Sequence, residues 1–248
     1  MPNGALKGKA ALVTGGSRGI GAGIARRLAA DGARVLLTYA HSPDLADRVV
    51  RDIRQAGGVA KAFRADSTRT EDVAESVQAA VETYGGLDIL VNNAGGGTLR
   101  TLDEIDTDEI DWVLAVNVRA VVTATRQALR HLPDGGRIIH IGSVNADRMP
   151  IPGGSVYSLS KGAVAGFTRG LARELGPRNI TVNNVQPGPV DTDLNSATGP
   201  AAPLMLAAMA LDRFGTAAEV ASLVAYLAGP EAAFITGTSI TIDGGFGA

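Results

Sequence analysis

Cysteine is absent from all 248 residues. Disulfides, a thiolate nucleophile and cysteine-ligated metals are therefore excluded, and the redox compartment is left undetermined by this residue. Histidine is scarce, and His131 and His140 have no second ligand at metal spacing, so no metal centre is expected. No stretch approaches the roughly 20 apolar residues that span a bilayer, and Met1 to Lys9 has no apolar leader core. The expectation is a cytoplasmic protein with no membrane partner. Neither sign of charge dominates: 23 Lys and Arg against 25 Asp and Glu leave a net charge of −2, too little for a broad field that attracts nucleic acid. No repeat, charge block or Pro/Ser linker divides the chain, so one domain over 1–248 is expected.

What is present is apolar and glycine-rich: 45% hydrophobic residues and 32 glycines, a composition that suits a packed sheet with tight strand-to-helix turns. Seven short aliphatic runs, at 10–14, 35–39, 60–64, 89–92, 137–141, 181–185 and 239–242, predict strands. Helical spacing fills the intervals at 19–30, 44–56, 72–84, 108–128 and 163–175. Strict alternation of the two with right-handed crossovers predicts an α/β, doubly wound Rossmann fold with a seven-stranded parallel sheet. The irregular stretch 187–215 is rich in Pro, Gly and small residues; its composition supports equally a substrate lid around 189–215 and a surface insertion carrying a docked helix.

The first strand runs into Thr14-Gly15-Gly16-Ser17-Arg18-Gly19-Ile20-Gly21, followed at once by a helix. Glycines there let the backbone approach a pyrophosphate, whose charge is stabilised by the unpaired N–H groups of the helix start. Glycines also serve ligand-free turns, but their position at the first helix of an α/β chain favours the phosphate role.

A second constellation is suited to proton transfer. Tyr157 and Lys161 are four residues apart, so on a helix they project from one face. A free phenol, with a pKa near ~10, is a poor base at neutral pH; an adjacent ammonium favours the phenolate. Lys161 is one of only four lysines beside 19 arginines, which suggests a need for a compact ammonium. Ser143 closes the fifth strand, at the carboxyl edge where parallel sheets bind ligands. Asn117 interrupts a predicted helix that its amide disfavours.

Together these motifs resemble the short-chain dehydrogenase/reductase family over essentially the whole chain to Ile242-Asp243-Gly244-Gly245, with the 3-oxoacyl-carrier-protein reductase-like branch the nearest. The resemblance implies a tetrad of Asn117, Ser143, Tyr157 and Lys161: Tyr157 exchanges the proton, Ser143 holds the substrate oxygen, Lys161 also binds the nicotinamide ribose, and Asn117 fixes a water that leads to solvent. It implies a nicotinamide coenzyme at Gly15, Ser17, Arg18, Gly19, Ile20 and Gly21, with Asp66 and Ser67 at the adenine and Asn93, Ala94 and Gly95 along the adenosine ribose. Pro187, Gly188, Val190 and Thr192 would cover the nicotinamide, with Gln186 standing where the family has a small residue. Members that prefer NAD carry an acid at the end of the second strand. Here Thr38-Tyr39-Ala40-His41-Ser42 has none, so NADP(H) is expected, its 2′-phosphate meeting Arg18, Ser42 and possible partner His41. Asp66 has the alternative role of a helix cap, and Arg18 and His41 those of solvated loop residues.

The loop 144–156 and the lid offer Met149, Ile151, Leu194, Met205 and Met209 beside Asn145, Asp147 and Arg148, a mainly apolar set that suits a hydrophobic carbonyl compound. Family members are usually homotetramers, and Phe246 is expected at a subunit contact. A competing class is a nucleotide-sensing regulator of the cyclic-di-GMP-binding type on the same fold, which Gly142 to Pro150 and Gln186 to Pro189 also resemble, with Asp147 and Arg148 as the candidate ligands.

Overall fold

In the computed structural model, which describes residues 4–248, the strands are buried because helices cover both faces of the sheet. They are β1 (Ala10–Val13), β2 (Arg34–Tyr39), β3 (Val59–Arg64), β4 (Ile89–Asn92), β5 (Arg137–Ile141), β6 (Thr181–Pro187) and β7 (Ser239–Ile242). The order is β3-β2-β1-β4-β5-β6-β7, and every neighbouring pair is parallel. The fold is thus the single-domain, seven-stranded doubly wound architecture expected from the alternation. Its strand order reverses between β1 and β4, and the crevice opens above that switch point.

One face packs on α1 (Gly19–Ala30), α2 (Pro43–Gln55) and α8 (Ala217–Ala228) through side chains such as Val13, Val35, Ile139 and Val185. The other packs on α3 (Thr70–Tyr84), α5 (Ala120–Ala128) and α6 (Ser155–Leu175). Across this second face the register aligns Leu36, Leu12, Leu90, Ile138 and Val182 in one apolar row. Two residues further along each strand, towards the carboxyl edge, the row becomes polar: Thr38, Thr14, Asn92, His140 and Asn184, all buried. The sheet therefore changes chemistry one step below the crevice.

Three departures from the expected elements bear on function. The predicted helix 108–128 is divided into α4 (Thr107–Leu114), a π turn over Ala115–Arg119 and α5; Asn117 sits in the widened turn. The helix α6 begins at Ser155, earlier than expected, so that Tyr157 and Lys161 share it. The stretch 187–215 is pinned at both ends, since Val190 pairs with Gly215 in a parallel bridge, and between them it forms the short helix α7 (Ala202–Ala207). The base of this loop is held further by a capping box at Thr216 and Glu219 and by Arg213 on Glu219 at 2.7 Å. Phe246 is 5% exposed within its own chain; it fills the interior and is not free for the subunit contact expected of it. Among the described residues no helix is long and apolar enough to cross a membrane, and no metal-binding cluster of His, Asp and Glu occurs.

Candidate active site

The β1–α1 turn is tight enough to require its glycines. Gly15 has φ +64° and a Cβ there would fall 2.9 Å from the Ala94 Cα, while a Cβ on Gly21 would overlap the Gly15 carbonyl and the Asn93 amide. Asn93 fastens this turn to the end of β4: its Nδ2 donates to the carbonyls of Thr14 and Gly15 at 2.9 and 3.0 Å. Thr14 Oγ1 in return accepts from the backbone N–H groups of Asn93 and Ala94, each at 3.0 Å. The Gly-rich turn and the Asn-Asn-Ala-Gly segment are therefore one rigid cradle, with Ser17, Gly19 and Ile20 on its α1 side.

Arg18 is the N-cap residue of α1 and is exposed. It takes part in none of the ion pairs among the described residues. Ser42 precedes α2 without capping it by its side chain, so its hydroxyl is unspent. His41 is exposed and near enough to Asp66 to favour that carboxylate. The Asp66 pKa lies below the ordinary carboxyl value, first because the Thr68 backbone N–H donates to it, against which burial acts, and then through the Thr68 hydroxyl and His41. Both Thr68 bonds fall on Oδ1, at 2.9 and 2.8 Å, which leaves Oδ2 for another donor. The alternative of Asp66 as cap to α3 is not what forms: Asp72 Oδ2 accepts from the Asp66 N–H at 3.0 Å. Ser67 lines a narrow cleft with Thr14, Thr38, Asn92 and Ala94.

The four proton-transfer candidates converge at the carboxyl edge of β4 and β5. Lys161 is 6% exposed, and its Nζ donates to the Ile141 carbonyl at 3.0 Å while lying 5.7 Å from the centroid of the Tyr157 ring. Asn117 is 1% exposed; its Nδ2 donates to the Gly96 carbonyl at 2.7 Å and to Ser160 Oγ at 3.0 Å, and its Oδ1 accepts from the Gly96 N–H at 3.0 Å. Both N–H groups of the side-chain amide are thus spent, one on the loop after β4 and one on α6. Ser143 Oγ accepts from the Asn145 N–H at 3.1 Å, so its own O–H remains free to donate.

Several residues of this site carried no signal in the sequence. Gly96 and Gly97 extend the Ala-Gly motif, and a Cβ on Gly97 would come within 2.5 Å of Tyr157 Cδ2, so the loop lies directly on the phenol ring. Ser160 links Asn117 to the carbonyl of Tyr157, to which it donates at 2.7 Å. Ser158 Oγ donates to the Asn145 carbonyl; with Ser143 it holds both polar groups of Asn145. The triple glycine and the polar Ser158 and Ser160 between Tyr157 and Lys161 are the only features that could have flagged them. After β6, the Gly188 N–H donates to the Ile242 carbonyl at 3.0 Å, and Val190 is buried in the core. The Thr192 methyl lies 3.3 Å from where a Cβ on Gly19 would be, which brings this loop over the phosphate cradle.

His140, read as structural, is wholly buried beneath this site. Asn92 Nδ2 donates to its Nδ1 at 3.1 Å, so the neutral ring carries its proton on Nε2. That Nε2, Asn184 Oδ1 and Gln186 Nε2 have no protein partner among the described residues. Burial, assisted by the Lys161 charge, pushes the His140 pKa down from 6.5 to about 3.

The site and the fold together match the family described as enoyl-(acyl carrier protein) reductase over residues 15–247. The chain belongs to the short-chain dehydrogenase/reductase family. It is 49% identical over 245 residues, 99% of this chain and 100% of the other, to the cyclic-di-GMP-binding biofilm dispersal mediator protein of Escherichia coli K12. A short-chain dehydrogenase/reductase from Serratia marcescens BCRC 10948 is 54% identical and superposes with a TM-score of 0.97, covering 98% of this chain and 99% of that one. A short-chain dehydrogenase from Burkholderia cenocepacia J2315, solved in complex with NADP, is 53% identical with a TM-score of 0.96 over 98% and 99% of the two chains.

The depressed His140 pKa has a definite sign. Below pH 6.5 the unfolded chain protonates this residue and the folded chain does not until about pH 3, so its neutral state stabilises the fold above 6.5 and that contribution is lost on acidification, by up to about 1.4 kcal/mol per pH unit. Denaturant titrations of the His140→Asn variant between pH 6 and 4 are expected to show a shallower loss of stability with acid than the wild type. Parallel curves would mean that His140 titrates freely.

Proposed function

We infer that this chain is an NADP(H)-dependent oxidoreductase that reduces a ketone or 3-oxoacyl group to the alcohol, reversibly, with Tyr157 as general acid and base. The observation that carries this reading is the buried Lys161 ammonium 5.7 Å from the Tyr157 ring centroid, at the lip of a cradle that a single Cβ would fill. Other findings support the coenzyme. The β1–α1 turn offers unpaired N–H groups to a pyrophosphate, the end of β2 has no carboxylate to repel a 2′-phosphate, and Arg18 and Ser42 are uncommitted there. Arg18, Ser42 and His41 would hold that phosphate, Asp66 Oδ2 and Ser67 the adenine, and Asn93, Ala94 and Gly95 the adenosine ribose. Pro187, Gly188, Val190 and Thr192 would cover the nicotinamide, and the NADP-bound relative from Burkholderia cenocepacia supports the same choice.

When bound, the coenzyme supplies or accepts the hydride. The chain does the rest. Ser143 donates its free O–H to the substrate oxygen and orients it. Tyr157 Oη gives that oxygen its proton in the reducing direction, and the Lys161 ammonium stabilises the phenolate that remains. One Lys161 proton is held by the Ile141 carbonyl, leaving two donors for the nicotinamide ribose. The segment 189–215 closes over the substrate as a lid, and its exposed Leu194, Leu204 and Leu211 favour an apolar carbonyl compound. We place the chain in a homotetramer, for which the exposed Trp112 and Val122 of the α4–α5 face and the fully exposed Phe234 provide apolar contacts; a monomer in light scattering would contradict this.

A panel of ketones and 3-oxoesters with NADPH and NADH tests the reading. Turnover with NADPH is expected to exceed that with NADH. The Tyr157→Phe variant is expected to lose about 10²–10⁴-fold in kcat while retaining NADPH binding by fluorescence titration, and near wild-type turnover would refute the mechanism. The second reading, a cyclic-di-GMP-binding regulator, rests on the 49% identity to the Escherichia coli protein. Against it, Arg148, its candidate ligand, already has one amino group committed to backbone carbonyls. Calorimetry with cyclic-di-GMP separates the two: binding in a protein that turns over no carbonyl compound would favour the regulator.

A further inference from the structure

We propose that Arg148 is a positioning residue for the substrate pocket, acting through the C-terminal turn Asp243 to Ala248. The inference rests on the reductase reading above, since it concerns the pocket in which that carbonyl compound would lie.

Three separate loops that frame the site meet on this one turn. The loop after β6 meets it by packing, since a Cβ on Gly188 would fall 2.5 Å from that of Asp243, one residue past the Ile242 carbonyl of β7 to which the Gly188 N–H donates at 3.0 Å. The lid is bonded through the Leu211 N–H on the Gly244 carbonyl at 2.9 Å. Met209 and Ala210 of the lid press on Gly244 and Gly245, where added Cβ atoms would lie 2.8 and 2.5 Å from them. The loop between Ser143 and Tyr157 is bonded through Arg148, whose Nη1 donates to the carbonyls of Phe246 at 2.7 Å and Ala248 at 2.8 Å; Val144 Cγ2 would lie 2.9 Å from a Cβ on Gly247.

The turn has its own internal frame. Asp243 accepts from the N–H groups of Gly245 at 3.0 Å and Gly247 at 2.7 Å, and Phe246 is anchored in the interior. Gly244 and Gly245 have φ of +62° and +79°, which allows the chain to bend back beneath the lid. A rigid turn with three loops fastened to it fixes their separation. Among these fastenings of the described residues, Arg148 is the one made by a charged side chain, and it lies in the loop between Ser143 and Tyr157.

Without Arg148 the loop 144–156 and the lid lose their common reference, while α1, the phosphate cradle and the core are untouched. Arg148→Ala is therefore expected to raise KM for the carbonyl substrate about tenfold, leave NADPH affinity within about twofold, and make the lid of the NADPH-bound protein more susceptible to limited proteolysis. Arg148→Lys retains a donor and is expected to recover most of the loss. Unchanged KM together with unchanged lid cleavage in Arg148→Ala would overturn the inference. A rise in the NADPH Kd as large as the rise in substrate KM would also overturn it, because it would indicate general loosening. Should the wild type turn over no carbonyl compound, the reductase reading fails, and lid cleavage alone still decides whether Arg148 fastens the pocket.

Discussion

A single buried amide holds the candidate site together. Asn117 bonds both polar groups of Gly96 and reaches Ser160, so one side chain joins the loop after β4 to the helix that carries Tyr157 and Lys161. A buried amide left unpaired costs on the order of 1–3 kcal/mol, and here three bonds remove that penalty. The glycine loop beneath it can then lie flat on the phenol ring and against the lysine: a Cβ on Gly95 would be 3.0 Å from Asn117 Oδ1 and 3.3 Å from Lys161 Nζ. Asn117 makes these bonds from within the π turn over Ala115–Arg119.

The polar row under the crevice is the complementary constraint. Parallel sheets covered on both faces are normally apolar throughout, and the rows below obey this. At the step nearest the ligand, Thr38 accepts from the Gly15 N–H of the glycine turn, Thr14 from the Asn93 and Ala94 N–H groups after β4, and Asn92 bonds His140 and Thr125. These groups fix the ends of the strands from which the site residues project. His140 and Asn184 of this row, and Gln186 two residues beyond Asn184, carry buried polar atoms without protein partners among the described residues.

The fold was almost wholly legible in the sequence because periodicity and glycine placement report local geometry. All seven strands fall where the aliphatic runs lie, and Gly15 and Gly21 announce a turn that only glycine can make. The candidate tetrad was legible by resemblance, and the structure gathers it. Residues that act through other residues were not legible. Ser160 is an ordinary helix serine until Asn117 is found beside it, and Gly97 is loop filler until the Tyr157 ring is found above it. The part Asn117 plays in holding Gly96 and Ser160 was likewise not legible, because only three-dimensional neighbours reveal what its amide engages. Its apolar character alone suits Phe246 to a subunit contact, whereas the Asp243 turn folds it inward.

The bridge between Val190 and Gly215 gives the region above the crevice a modular character. Because both stems are fixed to each other and to the core, the middle of the stretch, between Thr192 and Met209, can vary in length and composition with little effect on the sheet or the coenzyme cradle. Lineages sharing this scaffold can therefore diversify what they accept by exchanging that cassette, and specificity can evolve at a rate independent of the hydride chemistry below.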